Sequence, residues 1–213
     1  MAVVEARDVW KRYREGGDWV LRGLSLRVEP GERVGIAGAN GSGKTTLLRI
    51  LSGLLHPSRG EVLVGGEPAR SASARARVGV VLHNSFLYDE LSVRENLEYY
   101  SVLYGVEYDP LSDPIVERLG LRKYLERPAG ELSFGWRRRA DIARALLHRP
   151  RVLLIDEPFT GLDESGATSL AGLLKDLSGG GVSVVATSPR ASDLRLLEPR
   201  VLYWLREGVL VAE

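Results

Sequence analysis

The sequence has no cysteine, no glutamine, one methionine and three histidines among its 213 residues. Without cysteine there is no disulfide scaffold, no zinc knuckle and no thiolate nucleophile, and the composition suits a reducing compartment. Long apolar runs are missing too. Uncharged apolar stretches such as residues 78–82 and 152–155 fall far short of the roughly 18 residues of a membrane span, so work at a membrane would need a partner to cross it. Residues 1–7 lack the basic leader and apolar core of a secretory signal. Neither sign of charge dominates. The 29 basic and 28 acidic side chains leave a net charge of +1, which provides no global field to draw in nucleic acid or an anionic bilayer. What remains is an ordinary globular composition, 44% hydrophobic and 27% charged, enough for one domain with a subdomain.

Short apolar runs alternate with helical periodicity, which predicts α/β layers around a mostly parallel sheet. Residues 3–9 and 20–28 read as strands around the polar turn 15–18, a hairpin that opens an N-terminal antiparallel β subdomain. Residues 33–37 form the first buried strand, followed by a glycine-rich turn and a helix over 43–51. Residues 61–64 and 78–82 continue the strand series. Strand patterns then stop, and helical ones follow over 92–104, 112–119, 122–126 and 133–148; Ser92 and Glu95 make a capping box, and Pro150 stops the last. Strands resume at 152–155 and 182–186 around a helix over 164–177, and residues 201–205 and 209–211 close as a hairpin. The predicted organisation is one domain over 1–213, with an α/β core from 1–84 and 148–213 and an inserted helical subdomain over 85–147.

Gly38-Ala39-Asn40-Gly41-Ser42-Gly43-Lys44-Thr45 satisfies the phosphate-loop pattern, with a strand before it and a helix after it. In such a loop the backbone amides of residues such as Gly38, Asn40, Gly41, Ser42 and Gly43 turn toward phosphate, and the helix N-terminus adds positive potential. Lys44 reaches the β- and γ-phosphates, and the Thr45 hydroxyl, with Thr46 beside it, stands ready for Mg²⁺ and nucleotide. A chance match in a chain of this length is on the order of 1%. Residues 152–157 are an apolar strand ending in two carboxylates. Asp156 is placed to hold Mg²⁺ and Glu157 to polarise an attacking water. Alone, such a strand is common; paired with the phosphate loop it points to a P-loop NTPase site for a nucleotide's phosphates and Mg²⁺.

Leu132-Ser133-Phe134-Gly135-Trp136, followed by Arg137-Arg138-Arg139 and Ala143-Arg144-Ala145-Leu146, separates one phosphate-loop class from the rest. Here the chain resembles the nucleotide-binding subunit of ABC transporters, whose signature runs Leu-Ser-Gly-Gly-Gln before such a helix. The resemblance extends over nearly the whole chain. Tyr13 matches the aromatic that stacks on adenine, with Trp19 a competitor for that place. Residues 30–32 match the turn before the loop strand, and 160–163 the D-loop that carries Asp163. It implies an ABC-type ATPase fold and a homodimer, or a pair with another ATPase subunit, closing on ATP so that Ser133 and Gly135 cover the phosphate bound by the opposite subunit. It also implies an integral membrane permease as partner, a peripheral place on the cytoplasmic face of the cell membrane, and no direct contact with cargo.

Four positions depart from the family pattern. Phe134 and Trp136 replace a glycine and the glutamine of the signature. The family glutamine that touches Mg²⁺ falls on His83, with Asn84 adjacent; imidazole is a poor Mg²⁺ ligand, so His83 is expected to act in coupling or water positioning. The family's switch histidine after a late strand falls on Ser188, since His56, His83 and His148 all precede the D-loop, and slower hydrolysis is expected. The run 82–97 and residues 158–163 look most like the ATPase subunit of the haem exporter of cytochrome c maturation. Arg137–Arg139, with Arg75 and Arg77, are expected to form a solvated face or a subunit interface and not a nucleic-acid patch. The rival readings are a degenerate ATP-binding switch subunit paired with another ATPase, a soluble ABC ATPase outside transport, and a small-molecule kinase.

Overall fold

The computed structural model describes residues 1–213. In chain order the first half contains β1 (Val4–Lys11), β2 (Leu21–Val28), β3 (Arg33–Ala37), α1 (Lys44–Leu51), β4 (Arg59–Val64), β5 (Glu67–Pro68), α2 (Ala72–Arg75) and β6 (Val78–Val81). The second half contains α3 (Val93–Tyr104), α4 (Pro114–Arg118), α5 (Phe134–Leu146), β7 (Val152–Asp156), α6 (Glu164–Gly179), β8 (Ser183–Ser188), α7 (Ala191–Arg195), β9 (Val201–Arg206) and β10 (Val209–Ala212). The strands form two sheets. One is four-stranded in the order β2-β1-β4-β5, and the other six-stranded in the order β10-β9-β3-β8-β7-β6.

The small sheet is antiparallel throughout, the predicted hairpin extended by β4 on the other edge of β1. In the large sheet β6, β7, β8, β3 and β9 run parallel, and only the β9–β10 hairpin at the edge is antiparallel. Alternation along the buried strands explains why it is a middle layer. Val152 and Leu154 of β7, and Val185 of β8, face a core shared with α1 and the small sheet. Leu153 and Ile155, with Val184 and Ala186, face a second core built with α5, α6 and the helical segment. A sheet buried on both faces has no polar side to spend, which is why these strands read as continuous apolar runs.

The segment from 85 to 147 contains no named strand, only an isolated bridge between Ser92 and Pro128. Ser92 and Glu95 form both halves of the capping box at the start of α3, and Gly105 closes the helix at φ 65°. Two expected helices shrink. The one expected over 112–119 is confined to Pro114–Arg118, capped by Asp113 and ended by Gly120 at φ 68°; the one over 122–126 is a single 3₁₀ turn, Arg122–Tyr124. β5, α2 and α7 are too short to leave a periodic signal and emerge only from tertiary pairing and caps.

Candidate functional site

The parallel strands end side by side, with Ala37 opposite Ser188, Thr187 opposite Asp156, and Ile155 opposite Val81. In open α/β sheets, ligands gather at this carboxyl edge. The chain leaves β3 through Gly38 and turns into α1 with Gly41 and Gly43 at φ 78° and 104°, conformations that favour glycine. A Cβ on Gly38 would lie 2.7 Å from the Leu205 carbonyl. The amides of Gly41, Gly43, Lys44 and Thr45 donate to no protein acceptor, and the Ser42 hydroxyl is buried without a partner. Lys44, 6% exposed, donates from Nζ to the carbonyls of Gly38 (2.6 Å) and Ala39 (3.0 Å). Burial pushes its ammonium below the ordinary lysine range, while the carboxylates of Asp156 and Glu157 oppose the shift. A turn of free amides around a buried cation fits a polyphosphate.

Thr45 Oγ1 donates to Asp156 Oδ2 at 2.6 Å, and Thr187 Oγ1 donates to Asp156 Oδ1. Asp156 is 2% exposed. One hydroxyl and one carboxylate, both hard oxygen donors, fit Mg²⁺ as it is held in phosphate sites, where water and phosphate oxygens fill most positions. Glu157 follows in left-handed backbone at φ 50°. Its amide donates to the Thr187 carbonyl at 2.9 Å, and Thr160 Oγ1 donates to its Oε2 at 3.1 Å.

Tyr13 is 59% exposed and its hydroxyl lies 2.9 Å from Thr46 Oγ1, so its ring stands beside the first turn of α1. Trp19 instead packs edge-on against Trp10 at 5.2 Å, with the guanidiniums of Arg12 and Arg59 over its ring at 4.8 and 5.4 Å. Tyr13 has a single cation over its ring, Lys11 Nζ at 5.5 Å, where Trp19 has two. His83 and Asn84 are exposed just past β6. Ser188 is 2% exposed; its hydroxyl donates to Asp193 Oδ2 and accepts from the Arg190 amide, both at 3.1 Å, so it serves the start of α7.

Ser133 is the N-cap residue of α5 but makes no side-chain capping bond, leaving its hydroxyl free. With Gly135, Leu162 and Asp163 it lines a groove of about 450 Å³ that includes none of the phosphate-loop residues. Asp163 also caps α6, accepting from the Gly166 amide at 2.8 Å. The two signature departures are absorbed by packing. The Phe134 ring lies against Gly161, where a Cβ would be 2.5 Å from it, and 6.5 Å from the His83 ring centroid. Trp136 turns onto Tyr124 at 4.3 Å between Arg139 and Lys123.

Of the solvated face or subunit interface expected of the arginine run, the first holds only in part: Arg137 and Arg139 are half-buried, and Arg139 lines the groove with Ser133 and Gly135. Arg137 donates to the Leu87 carbonyl and pairs with Asp89, and Arg139 donates to the Leu119 carbonyl at 3.1 Å. Arg138 is 4% exposed. Its guanidinium donates to the carbonyls of Leu82 (2.6 Å), Asp156 and Glu157 (3.0 Å). Sequence reasoning missed Arg138, Thr160 and Thr187, because a charged run at a helix start carries no mark of which member turns inward.

The model of the ABC transporter family matches residues 21–160. The Nod factor export ATP-binding protein I of Burkholderia orbicola (strain AU 1054) is 38% identical over 218 residues, spanning 100% of this chain and 71% of its own. The chain belongs to the ABC transporter family. The ABC transporter ATP-binding protein NatA of Bacillus subtilis (strain 168) is 39% identical over 169 residues, 76% of this chain and 69% of its own. A solved dimeric ATP-binding cassette in a post-hydrolysis state with ADP and Pi superposes with a TM-score of 0.88 at 27% identity, covering 99% of this chain and 97% of that one. The chain is an ABC-type ATP-binding subunit with the α/β cassette fold, and it hydrolyses ATP in a reaction coupled to transport. No helix of this ABC subunit is long and apolar enough to cross a membrane.

Proposed function

We propose that the chain is one of two ATP-binding subunits that close head to tail on MgATP and drive an exporter from the cytoplasmic face of a membrane. The supporting observation is a division within one chain. Lys44, Thr45, Asp156 and Glu157 stand together at the strand ends, whereas Ser133, Gly135 and Asp163 line a separate groove. A second copy, turned head to tail, brings that groove over the phosphate. Tyr13 stacks on adenine, and the amides of Gly41, Gly43, Lys44 and Thr45 with the Lys44 ammonium hold the phosphate oxygens, the Gly38 and Ser42 amides being engaged by the Ser188 and Ala39 carbonyls. Thr45 and Asp156 hold Mg²⁺, which when bound neutralises charge on the β- and γ-phosphates. Glu157 orients and polarises the water that attacks the γ-phosphorus, with ADP as the leaving group. His83 transmits closure to an integral membrane permease together with the helical segment 85–147, which moves relative to the core of 1–84 and 148–213. Ser188 is engaged with Asp193, which favours slow turnover.

The Glu157→Gln variant tests the site. Phosphate release is expected to fall by at least about 100-fold while ATP binding is retained; unchanged turnover would overturn the role given to Glu157. The cargo reading is haem, supported by the likeness of residues 82–97 and 158–163 to haem-exporter ATPases; the relatives above carry other names. Capture of tagged Glu157→Gln with MgATP from gently solubilised native membranes decides it. A multispanning partner with a haem absorption band is the expected result. The same partner without haem removes that cargo, and recovery of soluble partners alone removes the transporter reading.

A further inference from the structure

We infer that Arg138 is a positioning residue that locks the Glu157 backbone to the helix carrying the signature. The inference rests on Glu157 being the water-activating carboxylate. Arg138 is the fifth residue of α5 and its guanidinium is buried. β6 and β7 stop pairing at Val81 and Ile155, and just beyond the ladder the carbonyls of Leu82, Asp156 and Glu157 all accept from Arg138. A planar fork of five donors fixes such acceptors relative to one another in a way no other side chain does. It joins three segments of the site: the loop that begins at His83, the end of the Asp156 strand, and the helix that opens at Ser133.

The arrangement is expensive for a purely structural contact. Burial pushes the guanidinium below its ordinary range, and Asp141, Asp156 and Glu157 keep it charged. An apolar side chain of similar length would avoid that desolvation. The gain appears at Glu157, whose left-handed φ of 50° is strained for a non-glycine residue and persists only where neighbours over-determine it. Its amide is held by the Thr187 carbonyl, its carboxylate by Thr160, and its carbonyl by Arg138. Arg138 makes no hydrogen bond to Lys44, Thr45 or residues 38–43. Its hold on the site runs through the Asp156 and Glu157 carbonyls; the Asp156 carboxylate keeps its own bonds to Thr45 and Thr187, so removal is expected to fall mainly on the orientation of Glu157. Any displacement of α5 is carried straight to that carboxylate.

ATP hydrolysis by the full chain tests this with Arg138→Met, Arg138→Lys, Glu157→Gln and the Arg138→Met/Glu157→Gln double variant. Arg138→Met is expected to lower kcat by about 100-fold, the scale of a displacement of about 1 Å at a reacting group, with the KM for ATP within about twofold of the parent. Arg138→Lys, which keeps charge and some donors, is expected between the two. The double variant is expected to be no slower than Glu157→Gln alone, because both changes act through one carboxylate. Parent kcat in Arg138→Met would overturn the inference, as would a further multiplicative loss in the double variant or a rise in KM matching the fall in kcat. If Arg138→Met does not fold, Arg138→Lys decides: a roughly tenfold lower kcat at parent KM supports the link, and parent kcat overturns it. Failure of the underlying reading is distinct, since Glu157→Gln would then turn over at the parent rate.

Discussion

The imidazole of His148 lies under the Tyr104 ring, centroids 4.0 Å apart and planes 9° from parallel, and Nε2 donates to the Val78 carbonyl at 3.1 Å. Nδ1 is therefore the bare nitrogen, and it is buried without a partner. Burial pushes the ring's pKa from 6.5 down to about 4, opposed by the Val78 bond and helped by the Arg144 charge. The folded form thus keeps His148 neutral. Above pH 6.5 folded and unfolded chains bind the same number of protons there, and the group adds no pH dependence. As pH falls from 6.5 to about 4 the unfolded chain takes the proton first and the fold loses stability, by about 2–3 kcal/mol in total after allowing for partial exposure. In His148→Phe, which keeps the stack and removes the titration, urea unfolding across that window is expected to show a flatter slope than the parent.

At the scale of elements, the loop between β6 and α3 depends on one fully buried amide. Asn96 accepts from the Tyr88 amide at 2.8 Å and donates to the carbonyls of Tyr88, Leu91 and Ser92 at 3.0, 3.1 and 2.9 Å. This loop follows His83, so its shape sets where the proposed coupling surface lies. Asn96→Ala leaves the Tyr88 amide and carbonyl without their partner, while the Leu91 and Ser92 carbonyls keep the backbone amides of residues 129 and 96; it is expected to cost about 1–3 kcal/mol, read as a lower urea midpoint at unchanged slope. At the start of α3, Ser92→Ala removes half of the capping box and is expected to cost only about 1 kcal/mol.

On the scale of the whole molecule, the prediction concerns association. If two copies close head to tail, Glu157→Gln with MgATP is expected to elute as a dimer and without nucleotide as a monomer. Adding Ser133→Arg, which puts a bulky side chain where the free hydroxyl of the groove stands, is expected to abolish the ATP-dependent dimer while leaving ATP affinity within about twofold. Light scattering across a concentration series reads the first effect, and nucleotide titration of the monomer the second.

Much of this protein was legible in its sequence because the signals are local. The phosphate loop needs glycine where φ is positive at Gly41 and Gly43, and an apolar strand buried on both faces reads as one at 152–155. The Ser92–Glu95 cap is written in four residues. What the sequence left open depended on partners distant along the chain. Ser188 ends β8 opposite Ala37, and its hydroxyl is engaged by Asp193. Tyr13 and Trp19 are equal candidates in the sequence; the fold puts Lys11 over the Tyr13 ring and Arg12 and Arg59 over the Trp19 ring. In the sequence Arg138 looks like its half-buried neighbours Arg137 and Arg139, and only the packing of α5 against the ends of β6 and β7 turns it fully inward. The local conformations follow from each residue's own backbone and neighbours. The inward turn of a buried charge follows from carbonyls that lose their partners where a sheet ends, and that is a property of the assembled fold.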